Sequence, residues 1–180
     1  MSSATVARNY HSTALLLPDA SVLCMGGRLT SIDGINDTPY ANDFESDMER
    51  RFEVYKPGYF YEGDRPIIDT YPEPSTDPIP YNDTFEITLQ EPPFGHDPWL
   101  VSSIVLIRPG ACTHGLDMEQ RMIVLDFTEN SGIYTVSSPA NYNIALPGYY
   151  MLFVVLDMTQ SNSGKSNIPS EAVFINLTLS

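Results

Sequence analysis

The side chains with chemistry to offer are few. The sequence holds three histidines, His11, His96 and His114, and His11 directly follows Tyr10. Imidazole and phenol groups bind metals and move protons, so the question is which of them the chain brings together. Tyr10 and His11 open a strand-like run, and neighbours in a regular strand face opposite sides. Both reach one metal only if the backbone departs from strand geometry at that point. Taken alone, the pair reads as an exposed histidine beside a half-buried tyrosine. His114 lies in Ala111-Cys112-Thr113-His114-Gly115-Leu116-Asp117, on a loop between two strand-like runs. Rigid strands can project a loop histidine as a ligand, although alone it too reads as an ordinary loop residue. His96, in Pro92-Pro93-Phe94-Gly95-His96-Asp97-Pro98, reads as solvent-exposed and structural. Gly-x-Ser-x-Gly, His-Glu-x-x-His and glycine-rich phosphate loops are all missing, so nothing points to a hydrolase or a nucleotide site.

The elements that must position these residues are strands. His11 to Leu17 and Ser21 to Met25 are apolar runs separated by Pro18-Asp19-Ala20, which predicts a hairpin closed by a Pro-Asp turn. Residues 28–50, rich in Asp, Asn, Gly and Ser, read as a long loop, and Arg51 to Tyr55 as a third strand that Lys56-Pro57-Gly58 ends. Three strands make no closed core, so residues 1–62 need a partner sheet. From residue 63 onward, seven strand-like runs follow, near 65–70, 84–90, 99–108, 121–127, 132–137, 148–157 and 170–179. Thr84 to Gln90 alternates polar and apolar residues, as a half-buried strand does. Tyr149 to Leu156 is continuously apolar and is expected to be covered on both faces. Turn signals at Arg108-Pro109-Gly110, Glu129-Asn130-Ser131-Gly132, Pro147-Gly148 and Ser161-Asn162-Ser163-Gly164 separate the runs. The pattern predicts an all-β chain whose residues 63–180 form an immunoglobulin-like sandwich.

Bulk properties narrow the partners. The net charge is −14, with nine Lys and Arg residues scattered along the chain, so a nucleic-acid partner is not expected. The acidity reads as a solvated, self-repelling surface. No apolar run reaches the roughly 18 residues that span a bilayer, so no membrane partner is expected either. Two cysteines, Cys24 and Cys112, are too few for a disulfide framework; the default reading of each is a buried free thiol, with a pairing of the two left open. Three Asn-x-Thr sequons begin at Asn36, Asn82 and Asn176. The first two lie in turn-like stretches that suit a glycan; the third lies in an apparent strand. The Met1-Ser2-Ser3-Ala4 start lacks a signal pattern, so a secreted parent with its native start elsewhere is the expectation.

Four motifs in order carry a family resemblance. Ala7-Arg8-Asn9-Tyr10-His11-Ser12-Thr13-Ala14-Leu15-Leu16-Leu17-Pro18-Asp19 resembles the last propeller blade of the galactose oxidase and glyoxal oxidase family. Phe52 to Phe60 is similar to that family's exit from the propeller. Val105 to His114 with Asp117-Met118-Glu119-Gln120-Arg121 resembles its Thr-His…Asp-x-(Glu or Asp)-Gln-Arg signature, and Leu146 to Phe153 its Pro-Gly-Tyr-(Tyr or Trp)-Met-Leu-Phe strand.

The resemblance implies the end of a kelch-type β-propeller over residues 1–62, then an early-set, immunoglobulin-like sandwich over 63–180. It implies copper as cofactor, with Tyr10, His11 and His114 among the ligands and Tyr10 as the base that takes the alcohol proton. Two imidazoles and a phenolate suit Cu(II). The implied reaction oxidises a small alcohol, aldehyde or sugar and reduces O₂ to H₂O₂. The cross-linked cysteine–tyrosine radical cofactor is expected on upstream blades, so this chain is expected to need them and to be inactive alone. The family's galactose oxidases carry two cysteines after the Tyr-His hairpin; this chain has none there, which leans toward the glyoxal oxidase type. The alternative is a sandwich without catalysis, structural or carbohydrate-binding through aromatics such as Trp99 and Tyr81.

Overall fold

The computed structural model describes residues 5–6, 8, 11–27, 49–94, 99–113, 116–119, 121–157 and 167–179. Strands β1 (Ser12–Leu16), β2 (Val22–Gly26) and β3 (Glu53–Tyr55) form a three-stranded antiparallel sheet in that order. The hairpin runs in register from Ser12 opposite Gly26 to Leu16 opposite Val22. Its turn closes as the Pro-Asp signal predicts: Leu17 N donates to Ser21 O at 2.8 Å, and Ala20 N to Leu17 O at 2.8 Å. The Asp19 carboxylate also accepts the Ser21 amide at 2.9 Å, an Asx-type bond that fixes the turn. A 3₁₀ turn, Gly58–Tyr61, follows β3 where the sequence predicts only a change of direction.

The sandwich contains β4 (Ile68–Thr70), β5 (Ile79–Pro80), β6 (Thr84–Leu89), β7 (Val101–Ile107), β8 (Cys112–Thr113) and β9 (Leu116–Asp117). It continues through β10 (Met122–Leu125), β11 (Phe127–Asn130), β12 (Ile133–Ser137), β13 (Gly148–Leu156), β14 (Ile168–Pro169) and β15 (Val173–Thr178). One sheet has the order β10-β7-β13-β15-β5, with β14 on β13; the other has the order β11-β12-β6-β4. All pairings are antiparallel except β15 with β5. Phe85, Ile87, Tyr134 and Val136 from one sheet meet Ile104, Leu106, Tyr150, Leu152, Val154, Ile175 and Leu177 from the other. The alternation expected for Thr84–Gln90 appears as Phe85 and Ile87 buried between exposed Thr84 and Glu86.

The continuous apolar run of β13 has the expected two covers. Tyr150, Leu152 and Val154 face the sandwich core, whereas Met151, Phe153 and Val155 belong to a second cluster with Val105 and Ile107 of β7. That second cluster is completed by Leu16 and Ala20 of the β1–β2 hairpin and by Tyr59 of the 3₁₀ turn. Each large apolar side chain buried there contributes about 1.5–3 kcal/mol. Polar contacts set the same docking. Ala172 N donates to Pro18 O at 2.8 Å, and the Tyr59 hydroxyl donates to Ala20 O. Arg65 lies 4.7 Å from the Phe60 ring centre and donates to Pro169 O at 2.8 Å and Ser170 O at 2.7 Å. The β1–β2 hairpin and the 3₁₀ turn thus pack on the outer face of β7 and β13.

The structure corrects three expectations. The run at 121–127 is two strands, because the chain crosses between sheets at Asp126, whose carbonyl accepts the Ser137 amide at 2.8 Å. Phe127 then packs on Tyr134, at 6.0 Å between ring centres, in the opposite sheet. The short strands β5, β8, β9 and β14 carry too few residues for a period to be read from sequence. Cys24 and Cys112 are free, as expected, but half-buried and not fully enclosed. Most of the 28–50 loop, the 161–164 turn and His96 lie outside the described residues. Among those described, no helix is long and apolar enough to cross a membrane.

Candidate metal centre

His11 immediately precedes β1 and is exposed, with φ of 68°. A left-handed backbone is uncommon for a residue with a side chain, and such outliers gather at functional sites. His11 thus stands just outside the strand, where the backbone leaves strand geometry. Gly26, opposite Ser12, accommodates it. A Cβ on Gly26 would stand 2.8 Å from the His11 carbonyl oxygen, and Gly26 has φ of +69°. Only glycine meets both conditions without strain.

Arg8 holds this corner from below. Its Nη1 donates to Gly26 O at 2.8 Å, its Nη2 donates to Arg51 O at 3.0 Å, and the same nitrogen lies 3.5 Å from the Glu53 carboxylate. The guanidinium is nearly enclosed, and among the described residues its Nε meets no acceptor. Glu53 is held below the usual carboxylate range first by the Thr5 hydroxyl, which donates at 2.6 Å, and by the Thr5 amide. Buried Glu49 accepts the Arg51 amide and Nε, each at 2.8 Å, and pairs with Nη2. The Arg51 side-chain hydrogen bonds bring Glu49 down to about 2.

On the sandwich side, β8 and β9 form a short hairpin, with Cys112 opposite Asp117 and Thr113 opposite Leu116. Residues 114 and 115 lie between the two strands in the sequence and outside the described residues. The base of this hairpin rests on β1: a Cβ on Gly110 would lie 2.6 Å from Leu15 Cδ2 and 2.8 Å from Asp117 Oδ2. The strand that opens at His11 and the hairpin that carries His114 are thus in contact. Behind the hairpin, Arg108 Nε lies 2.9 Å from the Glu119 carboxylate, and Arg121 Nη1 donates to Ile144 O at 2.9 Å. Arg108 also sits 5.6 Å from the ring centre of Tyr150, a core residue.

Of the expected ligands, His11 is described, whereas Tyr10 and His114 lie outside the described residues. Among the described residues no three of His, Cys, Asp and Glu gather as a metal site. Of the sequons, Asn82 is exposed with φ of 55°, and Asn176 donates its amide to Pro74 O at 3.4 Å; Asn36 is outside the described residues. Trp99 Nε1 donates to Gln90 O at 2.7 Å, and the Tyr81 hydroxyl to Ala145 O at 2.8 Å, so both aromatics tie loops to strands. Sequence reasoning missed the roles of Gly26, Gly110 and Arg8, because the partners of each are distant in sequence.

The model of the galactose oxidase-like early set domain matches residues 65–177. The chain belongs to the galactose oxidase-like family. It is 30 % identical over 180 residues to galactose oxidase of Gibberella zeae, covering 97 % of this chain and 22 % of that protein. It is 30 % identical over 165 residues to the aldehyde oxidase GLOX of Vitis pseudoreticulata, covering 84 % of this chain and 28 % of that protein. A solved fungal alcohol oxidase of the AA5 family, in complex with copper, superposes with a TM-score of 0.73 at 29 % identity, over 99 % of this chain and 33 % of that one. This galactose oxidase-like chain therefore spans about a quarter of the length of these curated relatives. The resemblance read from the four motifs and the early-set sandwich both stand.

Proposed function

We propose that this chain is the C-terminal part of a copper-radical oxidase that oxidises a primary alcohol or an aldehyde, with Tyr10, His11 and His114 as its copper ligands. The observation that carries the reading is the contact between the His114 hairpin and the strand opening at His11, made by Gly110 on Leu15. The left-handed His11 backbone supports it, since it frees a Tyr-His pair from the opposite-facing geometry of a strand. Two imidazoles and a phenolate also suit Cu(II).

When bound, copper together with a cysteine-cross-linked tyrosine supplied upstream provides the two-electron oxidation. The work of this chain is narrower. His11 and His114 offer imidazole nitrogens from two different elements, so their mutual position depends on how the hairpin docks. Tyr10, as phenolate, takes the hydroxyl proton of the alcohol on its oxygen. Two electrons and two protons leave the substrate, and O₂ receives both as H₂O₂.

In this reading residues 1–62 are the last-blade segment of a kelch-type propeller and 63–180 the early-set sandwich. Leu116 of the hairpin, Met118 just after it, and Met122 and Val124 on one face of β10 are each at least 62 % exposed. An apolar patch of that kind marks a surface another part of the protein covers; the upstream blades are that cover. The parent is secreted, with exposed Asn82 as a glycan acceptor. The chain alone carries out no alcohol oxidation.

The test is a Cu(II) titration of the chain beside His11→Ala and His114→Ala, followed by electron paramagnetic resonance. The wild type is expected to take up one equivalent, and each variant to bind at least about tenfold more weakly. Equal loading of wild type and His114→Ala would sink the ligand assignment.

A further inference from the structure

The hairpin that carries His114 is only two residue pairs long, Cys112–Asp117 and Thr113–Leu116. A two-stranded ribbon of this length has no stability of its own, so something outside its ladder closes it. Asp117 Oδ1 accepts two backbone amides, Ala111 N at 3.0 Å and Glu119 N at 3.0 Å. These amides lie on opposite sides of the ribbon, just outside its last pair. Met118 N donates to Ala111 O at 3.1 Å and draws the same two ends together. One side-chain oxygen therefore staples the hairpin shut at its base. The other oxygen, Oδ2, occupies the space beside Gly110, where that residue rests on Leu15.

We infer that Asp117 is the positioning residue of the His114 hairpin, acting through its amide-accepting oxygen and not through charge or metal binding. The inference rests on the copper reading only for its consequence at the metal. A carboxylate three residues from an expected ligand invites assignment as a further ligand or as a base, but its Oδ1 is already committed to two amides. Both amides bond to a single oxygen, so the side-chain carbonyl of asparagine can replace it, whereas alanine cannot.

The experiment compares wild type, Asp117→Asn and Asp117→Ala in the full chain. The first readout is metal-free: amide hydrogen exchange at Ala111 and Glu119. Asp117→Ala is expected to speed exchange at both about tenfold, and Asp117→Asn to stay close to wild type, because an amide left without its acceptor is no longer protected. The second is Cu(II) affinity with the copper hyperfine spectrum. Loss of the partner that orients a ligand typically costs about 10–100-fold in affinity, so Asp117→Ala is expected to bind at least about tenfold more weakly and Asp117→Asn to recover most of it. If Asp117→Asn is as damaged as Asp117→Ala in both readouts, the charge matters and the inference is overturned. Unchanged exchange in Asp117→Ala overturns it as well. A wild-type chain that holds copper no better than His114→Ala refutes the copper reading alone; the exchange comparison still decides what Asp117 does.

Discussion

Replacing Gly110 by alanine tests whether the His114 hairpin is truly seated on β1. Gly110 is not among the glycines with positive φ, so alanine meets no backbone objection there. On its own, that change would stabilise by about 0.4–1 kcal/mol through the unfolded chain. The docked structure opposes it. The new methyl would stand 2.6 Å from Leu15 Cδ2 and 2.8 Å from Asp117 Oδ2, about 1 Å inside ordinary contact. Leu15 ends in a flexible side chain, but Asp117 is bonded to two amides and cannot retreat without losing them. Overpacking of this kind costs about 1–3 kcal/mol, so the net loss is about 1–2 kcal/mol. For a chain of this size that lowers Tm by about 2–8 °C. Differential scanning calorimetry of Gly110→Ala, Leu15→Ala and the double variant provides the check. Leu15 Cδ2 is the nearer of the two clashing groups, so removing it relieves that part of the clash and the double variant is expected to lose less than the sum of the singles by about 1 kcal/mol. Additive losses, or a Tm for Gly110→Ala equal to or above wild type, would refute the docking and with it the main support for a shared metal centre.

Two further outcomes concern the corner around His11. Arg8→Ala removes the donors to Gly26 O and Arg51 O and is expected to cost about 1–3 kcal/mol. Amide exchange should rise first at Ser12 and Gly26 and last in β13; a uniform rise across the chain would contradict the local role. The second is acid sensitivity. Glu49 is lowered from 4.5 to about 2 in the fold, so its pairing with Arg51 stabilises above the unfolded value and is lost as pH falls through the folded one. Wild type and Glu49→Gln are therefore expected to differ in Tm at pH 7 and to converge between about pH 4.5 and 2; a gap that stays constant across that window would show that Glu49 keeps its ordinary titration.

Much of this protein is legible without coordinates. The alternation at Thr84–Gln90 and the unbroken apolar run at Tyr149–Leu156 state which faces are covered, because strand side chains alternate and burial demands apolar groups. The Pro-Asp turn and the Arg-Pro-Gly break mark where strands end, because they act on the local backbone alone. The order of the motifs identifies the family. The sheet partners depend on distant residues, and only the tertiary structure supplies them. It puts the β1–β2 hairpin on the back of β13, switches the chain between sheets at Asp126, and sets the base of the His114 hairpin on Leu15. The left-handed turn at His11 and the Asp117 staple belong to this second class. Tyr10, His11 and His114 are each ordinary in sequence, and it is the packing of one hairpin on another that links the strand beginning at His11 to the loop that bears His114.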